Sequence, residues 1–122
     1  MDFNALADIA TKAALEAGKI IQSALHKTID VKHKKGGNTL ASQVVTSVDK
    51  ACEKIILKYL TPTCNKYNLG LLTEETEDDQ SRFRKNYFWC VDPLDGTLAF
   101  IHKHPGFSVA IALVAKDGTP QI

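Results

Sequence analysis

Apolar residues recur at helical spacing over the first part of the chain. We predict an amphipathic helix from Asn4 to about Leu25, with Asp2 or Asn4 as its N-cap. The apolar face comprises Leu6, Ile9, Ala10, Ala13, Ala14, Ala17, Ile20, Ile21 and Ala24. Because many of these side chains are small, a second helix can approach this face closely, although Gly18 lowers the helix propensity of the middle.

A second helix is predicted in the next part of the chain. It begins near Thr46 or Ser47 and runs to about Leu60. Its apolar stripe contains Ile55, Ile56 and Leu60. We expect Pro62 to end this helix, because proline lacks a backbone N–H and disfavours the helical conformation of the preceding residue.

The polar stretch between these two helices carries two further predictions. Thr28–His33 alternates between polar and apolar residues, which predicts a short strand. Residues 32–39 are rich in lysine and glycine, which predicts a flexible basic surface loop.

Two apolar runs predict buried strands that end in acids. Asn68–Thr73 is followed by Glu74 and Glu75, and Tyr87–Val91 is followed by Asp92. If these strands are neighbours in one sheet, their acidic ends lie at the same edge of that sheet.

A third strand is predicted near the end of the chain. Phe107–Val114 alternates large and small residues, as expected of a central strand, and Asp117–Gly118 predicts a hairpin turn. Only residues 119–122 follow this turn, so the returning strand has hardly begun. We therefore expect residues 1–122 to be the N-terminal part of a longer domain whose C-terminal part this chain lacks.

The composition is that of one soluble globular domain. Of the 122 residues, 44% are hydrophobic and 24% are charged, and the formal net charge is +1. This balance gives no global field that favours a nucleic acid polymer or an anionic membrane. The three cysteines are odd in number and lack a CxxC pair, which argues against a disulfide framework or a zinc ribbon. The N-terminus does not resemble a signal peptide and no apolar run approaches the ~20 residues that span a bilayer, so we expect a cytoplasmic protein.

The acids at the predicted strand ends are candidate metal ligands. Asp95 lies one tight turn beyond Asp92, so Glu74, Asp92 and Asp95 can converge. Mg²⁺ prefers oxygen ligands and usually retains waters that a substrate phosphate can displace. A bound cation also removes the repulsion between clustered carboxylates, and two such ions suffice for in-line hydrolysis of a phosphate ester.

The residues that follow these acids suit phosphate binding. Pro93 rigidifies the turn, and Gly96 lets the backbone approach a ligand. A helix that starts at Gly96 would direct free N–H groups at the same place. The Thr97 hydroxyl can hydrogen-bond the attacking water and pass its proton toward Glu74 or Asp49.

Each of these elements also has a purely structural interpretation. Asp-Pro and Asp-Gly are ordinary turn dipeptides, Asp95 can be a simple N-cap, and Glu74-Glu75 can be a solvated pair. His102 and His104 offer an alternative metal pair, but no acid or cysteine lies nearby at zinc-like spacing, so we interpret them as part of a surface loop.

Three blocks of sequence resemble the inositol monophosphatase superfamily, and they occur in that family's order. Val44–Glu53 is similar to its Asp-bearing segment at the start of the second helix, and Leu72–Thr76 to its strand-end Glu-Glu. Trp89–Thr97, which reads Trp-Cys-Val-Asp-Pro-Leu-Asp-Gly-Thr, is the most specific block. The likeness continues from Phe100 to Val114 and thus covers most of the chain from Val44 onward.

The resemblance implies a site. The metal ligands that it implies are Glu74, Asp92, Asp95 and the backbone carbonyl of Leu94. The substrate-binding residues are Asp95, Gly96 and Thr97, with phosphate held by the Gly96 and Thr97 amides. The group that activates the water is Glu74 with Thr97, supported by Asp49.

The resemblance also implies a fold and an activity. The fold is a layered α+β arrangement, an αβαβα sandwich like that of inositol monophosphatase and fructose-1,6-bisphosphatase, in which this chain supplies the helix pair and the first mixed sheet. The expected activity is Mg²⁺-dependent hydrolysis of a small phosphorylated metabolite, inositol monophosphate first, by a homodimer. Family members bring a further metal-binding Asp and most of the substrate pocket from a C-terminal half. We therefore expect this chain alone to bind metal weakly and to turn over slowly or not at all.

Two alternatives to inositol monophosphate hydrolysis remain open at this point. The first is a 3′(2′),5′-bisphosphate nucleotidase, and the signature is also compatible with a sugar phosphate as substrate. The second is a non-catalytic fragment that binds metal or phosphate and dimerises through an unpaired sheet edge.

Overall fold

The computed structural model describes residues 1–26 and 40–122. The elements in chain order are α1 (Phe3–His26), α2 (Leu40–Tyr67), β1 (Gly70–Thr73), α3 (Ser81–Arg84), β2 (Tyr87–Asp95), α4 (Thr97–Ile101) and β3 (Ser108–Ala115). The predicted strand Thr28–His33 and the basic loop 32–39 lie outside the described residues. None of the helices in the described ranges combines the length and apolar character needed to cross a bilayer.

The predicted N-terminal helix is confirmed as α1, and it packs along α2. Asp2 is its cap, because the Ala5 N–H donates to Asp2 Oδ1 over 3.0 Å. The buried residues that the two helices contribute to the core are Leu6, Ala10, Ala13, Ala17 and Ile21 from α1 and Val48, Cys52, Ile56 and Leu60 from α2. The small residues of α1 permit the close approach, and the buried Cys52 thiol lies 3.6 Å from the Ala17 carbonyl oxygen.

The prediction that Pro62 ends the second helix is wrong. Helix α2 continues through Pro62 to Tyr67. Pro62 is exposed, so the backbone carbonyl that loses its N–H partner lies on the solvent side, where water can satisfy it. The helix ends instead where Asn68 adopts a left-handed conformation, with φ of 57°.

The three strands form a mixed sheet in the order β1-β2-β3. Strands β1 and β2 are parallel, with Thr73 opposite Val91, whereas β2 and β3 are antiparallel. Strand β2 therefore lies between β1 and β3, and β3 is hydrogen-bonded on its other side to the returning residues 119–122. The predicted hairpin turn is confirmed: Ala115 N–H donates to the Thr119 carbonyl over 2.8 Å, and Pro120 bridges to Val114.

Helices α1 and α2 cover the sheet through a buried core that includes Trp89 of β2 and Leu113 of β3. Within this core the Trp89 indole N–H donates to Thr63 Oγ1 over 2.9 Å, and Thr63 Oγ1 donates to the Leu60 carbonyl over 2.6 Å. This chain of hydrogen bonds fixes β2 against the part of α2 that lies beyond Pro62.

We expect the Thr63→Val variant to lower the free energy of unfolding by about 1–3 kcal/mol, because the buried Trp89 N–H loses its acceptor. Urea denaturation measures this difference. Thr61→Val changes an exposed threonine of the same helix and is the control, with an expected effect within about 0.5 kcal/mol. Equal effects of the two substitutions would contradict the structural role of this hydrogen bond.

Candidate functional site

Acidic residues gather at the edge of the sheet where β1 and β2 end. The parallel register pairs Thr73 with Val91, so Glu74 and Asp92 follow on adjacent strands at the same edge. The predicted convergence of these two strand ends is thereby confirmed.

Strand β2 changes direction at its acidic end. Its register with β3 is regular to Asp92 and then shifts before Asp95, which lies opposite Ser108. The Leu94 N–H donates to Asp92 Oδ1 over 3.3 Å, and Pro93 and Leu94 are both buried. The irregularity thus sets two buried residues between Asp92 and the exposed Asp95.

Gly96 joins this segment to helix α4. Its φ is 81°, in the left-handed region, and a Cβ at this position would lie 2.3 Å from the Gly106 carbonyl oxygen. The predicted helix start is confirmed, since Thr97 is the first residue of α4. The buried Phe100 anchors this short helix through an edge-to-face contact with Phe107, with ring centroids 5.9 Å apart.

Helix α2 contributes two further acids to the same region. Asp49 and Glu53 lie one helical turn apart, and only 8% and 7% of their surfaces are exposed. Burial raises the pKa of Asp49 to about 6, assisted by the negative charges of Glu75, Asp92 and Glu53. The strand ends and helix α2 therefore share one negative field.

Glu74 and Asp92 interact directly. A hydrogen bond with Asp92 and the charge of Asp92 raise the pKa of the Glu74 carboxyl to about 7, with smaller contributions from burial, Glu75 and Asp49. Because Glu74 itself is exposed, its partner rather than burial dominates this shift. Without a cation, the Glu74 carboxyl therefore keeps its proton to a higher pH than an ordinary glutamate does.

The donor chemistry of this region fits a hard cation. Asp49 Oδ1 and Glu53 Oε1 are buried and have no hydrogen-bond partner among the residues that the structure describes. Unpaired carboxylate oxygens in a repulsive cluster are stabilised by a divalent ion. In residues 1–26 and 40–122, however, no three acid, His or Cys side chains meet closely enough to enclose a metal as they lie.

The structure adds two acids to which sequence reasoning gave no role. Glu75 and Glu53 are both charge partners of Asp49. The sequence feature that could have identified Glu53 is its position four residues after Asp49 on one helix, because this spacing places both side chains on the same face. His102 and His104 are exposed, with ring centroids 6.3 Å apart, which agrees with their interpretation as surface loop.

Residues 2–122 match the profile of the Inositol monophosphatase family. The chain therefore belongs to this family, and its layered α+β fold is that of the family. It is 37% identical over 111 residues to inositol monophosphatase 3 of Solanum lycopersicum, and the match covers 89% of this chain and 39% of that protein. It is 30% identical over 106 residues to the inositol-1-monophosphatase of Bacillus subtilis, and the match covers 87% of this chain and 38% of that protein.

Solved structures of the same family resemble this one closely. The inositol monophosphatase from Anabaena has a TM-score of 0.70 and 31% identity, and the match covers 99% of this chain and 39% of that one. The 2′AMP-bound SaIMPase-II has a TM-score of 0.65 and 33% identity, and the match covers 95% of this chain and 38% of that one. The chain thus spans about two fifths of the length of these relatives.

Proposed function

We propose that this chain forms the cation-binding and phosphate-binding part of a Mg²⁺-dependent phosphomonoesterase. Its substrate is a small phosphorylated metabolite, with inositol monophosphate as the first candidate. The observation that carries the proposal is that Glu74 and Asp92 lie on adjacent parallel strands at one edge of the sheet, beside the buried Asp49. Burial and neighbouring charges raise the pKa of Asp49 to about 6, and interaction with Asp92 raises that of Glu74 to about 7. Without a cation, repulsion between these carboxylates destabilises the folded chain. Membership of the inositol monophosphatase family supports a phosphatase function for the cluster.

The residues that would hold Mg²⁺ are Glu74, Asp92, Asp95 and the backbone carbonyl of Leu94. When bound, this ion supplies Lewis acidity toward phosphate oxygens and lowers the pKa of a coordinated water. The shift of register between Asp92 and Asp95 turns the backbone between these two ligands, which is where the Leu94 carbonyl is needed.

Residues at the start of α4 bind the phosphate, and neighbouring side chains transfer the proton. Gly96 and Thr97 lie at the start of α4, where backbone N–H groups can bind phosphate oxygens. The Thr97 hydroxyl orients the attacking water and passes its proton toward Glu74 or Asp49. A buried carboxylate with a pKa of about 6 is matched to accepting a proton near neutral pH.

Phosphate release tests this proposal. The substrates are inositol 1-phosphate, 3′-phosphoadenosine 5′-phosphate, 2′-AMP and fructose 1,6-bisphosphate, with and without Mg²⁺, for this chain and for a C-terminally extended protein. We expect Mg²⁺-dependent release by the extended protein, fastest with inositol 1-phosphate. A preference for 3′-phosphoadenosine 5′-phosphate would favour the bisphosphate nucleotidase alternative, and 2′-AMP is included because a relative has been solved with 2′AMP bound. A well-folded dimer of the extended protein that hydrolyses none of these substrates would instead favour a non-catalytic binding function.

The pKa shifts predict how stability changes with pH. Both acids have a higher pKa in the folded chain than in the unfolded chain, so between about pH 4 and 7 the folded state binds more protons. Without metal, the free energy of unfolding therefore falls as pH rises through this window. The contribution of Asp49 is up to about 3 kcal/mol.

Thermal unfolding of the chain between pH 5 and pH 8 measures this effect. We expect the metal-free Tm to fall toward pH 8, and Mg²⁺ to raise Tm more at pH 8 than at pH 5, because the cation binds the ionised carboxylates. The Asp49→Asn variant is the control, and its metal-free Tm should depend less on pH. A metal-free Tm that rises from pH 5 to pH 8 would contradict the proposed field.

A further inference from the structure

A hydrogen bond joins helix α2 to the segment that carries the first two acids of the site. The Thr76 hydroxyl donates to Glu53 Oε2 over 3.0 Å. The Thr76 backbone N–H donates to Thr73 Oγ1 over 3.3 Å, and Thr73 is the last residue of β1. We call residues 73–76 the acidic turn.

These two contacts hold the acidic turn at both ends. Thr73 is fixed by its place in the sheet, and Thr76 is fixed both to Thr73 and to Glu53. Glu74 and Glu75 lie between these anchor points. The backbone that carries their carboxylates is thus held by contacts that Thr73 and Thr76 make.

The burial of Glu53 calls for an explanation. Only 7% of this residue is exposed, one of its carboxylate oxygens accepts the Thr76 hydrogen bond, and the other has no partner among the described residues. A buried carboxylate satisfied on one oxygen is a poor stabiliser of a fold, because desolvation of the charge opposes it. An apolar side chain would fill this place at lower cost if packing were the only requirement.

Repulsion between the acids of the site explains why a contact with Thr76 is useful. Asp49, Glu75 and Asp92 lie close enough to influence one another, so the acidic turn is pushed away from the sheet edge toward solvent. The hydrogen bond from Thr76 to Glu53 opposes that displacement from the buried side.

We propose that Glu53 is a positioning residue, which holds the acidic turn through the Thr76 hydroxyl so that Glu74 stays at the cation site. The placement of the turn follows from the contacts alone, whereas its benefit for cation binding rests on the proposed function. Glu53 acts here as a hydrogen-bond acceptor for Thr76 and not as a ligand of the cation.

Four single variants distinguish a role of Glu53 as hydrogen-bond acceptor for Thr76 from a role of its charge at the cation site. Glu53→Leu removes the acceptor and Thr76→Val removes the donor. Glu53→Gln keeps an acceptor oxygen without the charge, and Thr76→Ser keeps the hydroxyl. The double variant Glu53→Leu with Thr76→Val tests whether the two residues act through one contact.

Two measurements are made on each variant. Hydrogen–deuterium exchange of the amides of residues 74–76 reports the order of the turn without any cation, and calorimetric titration of the C-terminally extended protein with Mg²⁺ and Mn²⁺ reports affinity. We expect Glu53→Leu and Thr76→Val to speed exchange and to weaken cation binding by about 10-fold or more, as outer contacts of metal sites do when removed. The double variant should be no worse than either single one, and Thr76→Ser should stay near the unmodified chain. Glu53→Gln should leave the exchange rates near those of the unmodified chain and should lose less cation affinity than Glu53→Leu.

Other patterns of results overturn the proposal. If Glu53→Gln weakens binding as much as Glu53→Leu while Thr76→Val has no effect, Glu53 acts through its charge. If exchange in residues 74–76 is unchanged by Thr76→Val, the contact does not hold the turn. If the unmodified protein binds neither ion, the proposed function fails, and the exchange rates alone decide whether Glu53 positions the turn.

Discussion

Replacing Asp92 by Asn is expected to reduce Mg²⁺-dependent phosphate release by the extended protein by about 100-fold or more. Asp92 lies beside Glu74 at the edge where β1 and β2 end, and its charge raises the pKa of both Glu74 and Asp49. Its Oδ1 atom additionally accepts the Leu94 N–H at the turn toward Asp95. Asparagine preserves the size of the side chain but removes the charge that a divalent cation needs.

Asp117→Asn is the matched control for this substitution. Asp117 is exposed in the hairpin turn, where its Oδ1 atom accepts the Thr119 N–H over 2.9 Å, and asparagine can make the same contact. Its activity should equal that of the unmodified protein. Since Asp92→Asn relieves repulsion, the metal-free Tm of that variant should not fall, so lost activity cannot be attributed to unfolding. Full activity of the Asp92→Asn variant would refute the site assignment.

The Gly96→Ala substitution is expected to lower the free energy of unfolding by about 2–5 kcal/mol. The first reason is the φ of 81°, which costs an L-residue about 1–2 kcal/mol. The second is the overlap of the new Cβ with the Gly106 carbonyl oxygen at 2.3 Å, which forces one of two backbone segments to move. Because Gly96 joins Asp95 to Thr97, this movement should also weaken Mg²⁺ binding.

Gly118→Ala separates these two causes. Gly118 has a similar φ of 93°, but a Cβ there meets nothing within 4 Å. Urea denaturation of both variants should therefore show a smaller loss for Gly118→Ala, and the difference between them measures the steric overlap. Equal losses would show that the close approach of Gly106 to Gly96 does not constrain the site.

Local patterns predicted most of the elements that carry the site. The helical spacing of apolar residues predicted α1, and the acid-terminated apolar runs predicted β1 and β2 with their ends at one edge. The start of α4 immediately after Gly96 also followed from local chemistry, because glycine is suited to the left-handed backbone that precedes the helix. These features depend on residues that are near one another in the sequence.

Features that depend on tertiary surroundings were not predictable in the same way. Pro62 is tolerated inside α2 because it faces solvent, and the helix beyond it is held by the contact between Thr63 and Trp89. The burial of Glu53 and its hydrogen bond to Thr76, 23 positions away in the sequence, required the packing of α2 against the sheet. The spacing of four residues places Asp49 and Glu53 on one helix face, but it gave no reason to assign Glu53 a role.

The central claim is that the acids at the ends of β1 and β2 form one divalent cation site. Anomalous scattering from crystals of the C-terminally extended protein soaked in Mn²⁺, which shares the oxygen-ligand preference of Mg²⁺, tests it most directly. We predict a peak within coordination distance of Glu74, Asp92, Asp95 and the Leu94 carbonyl oxygen. A well-occupied peak elsewhere, or none at saturating Mn²⁺, would contradict the claim.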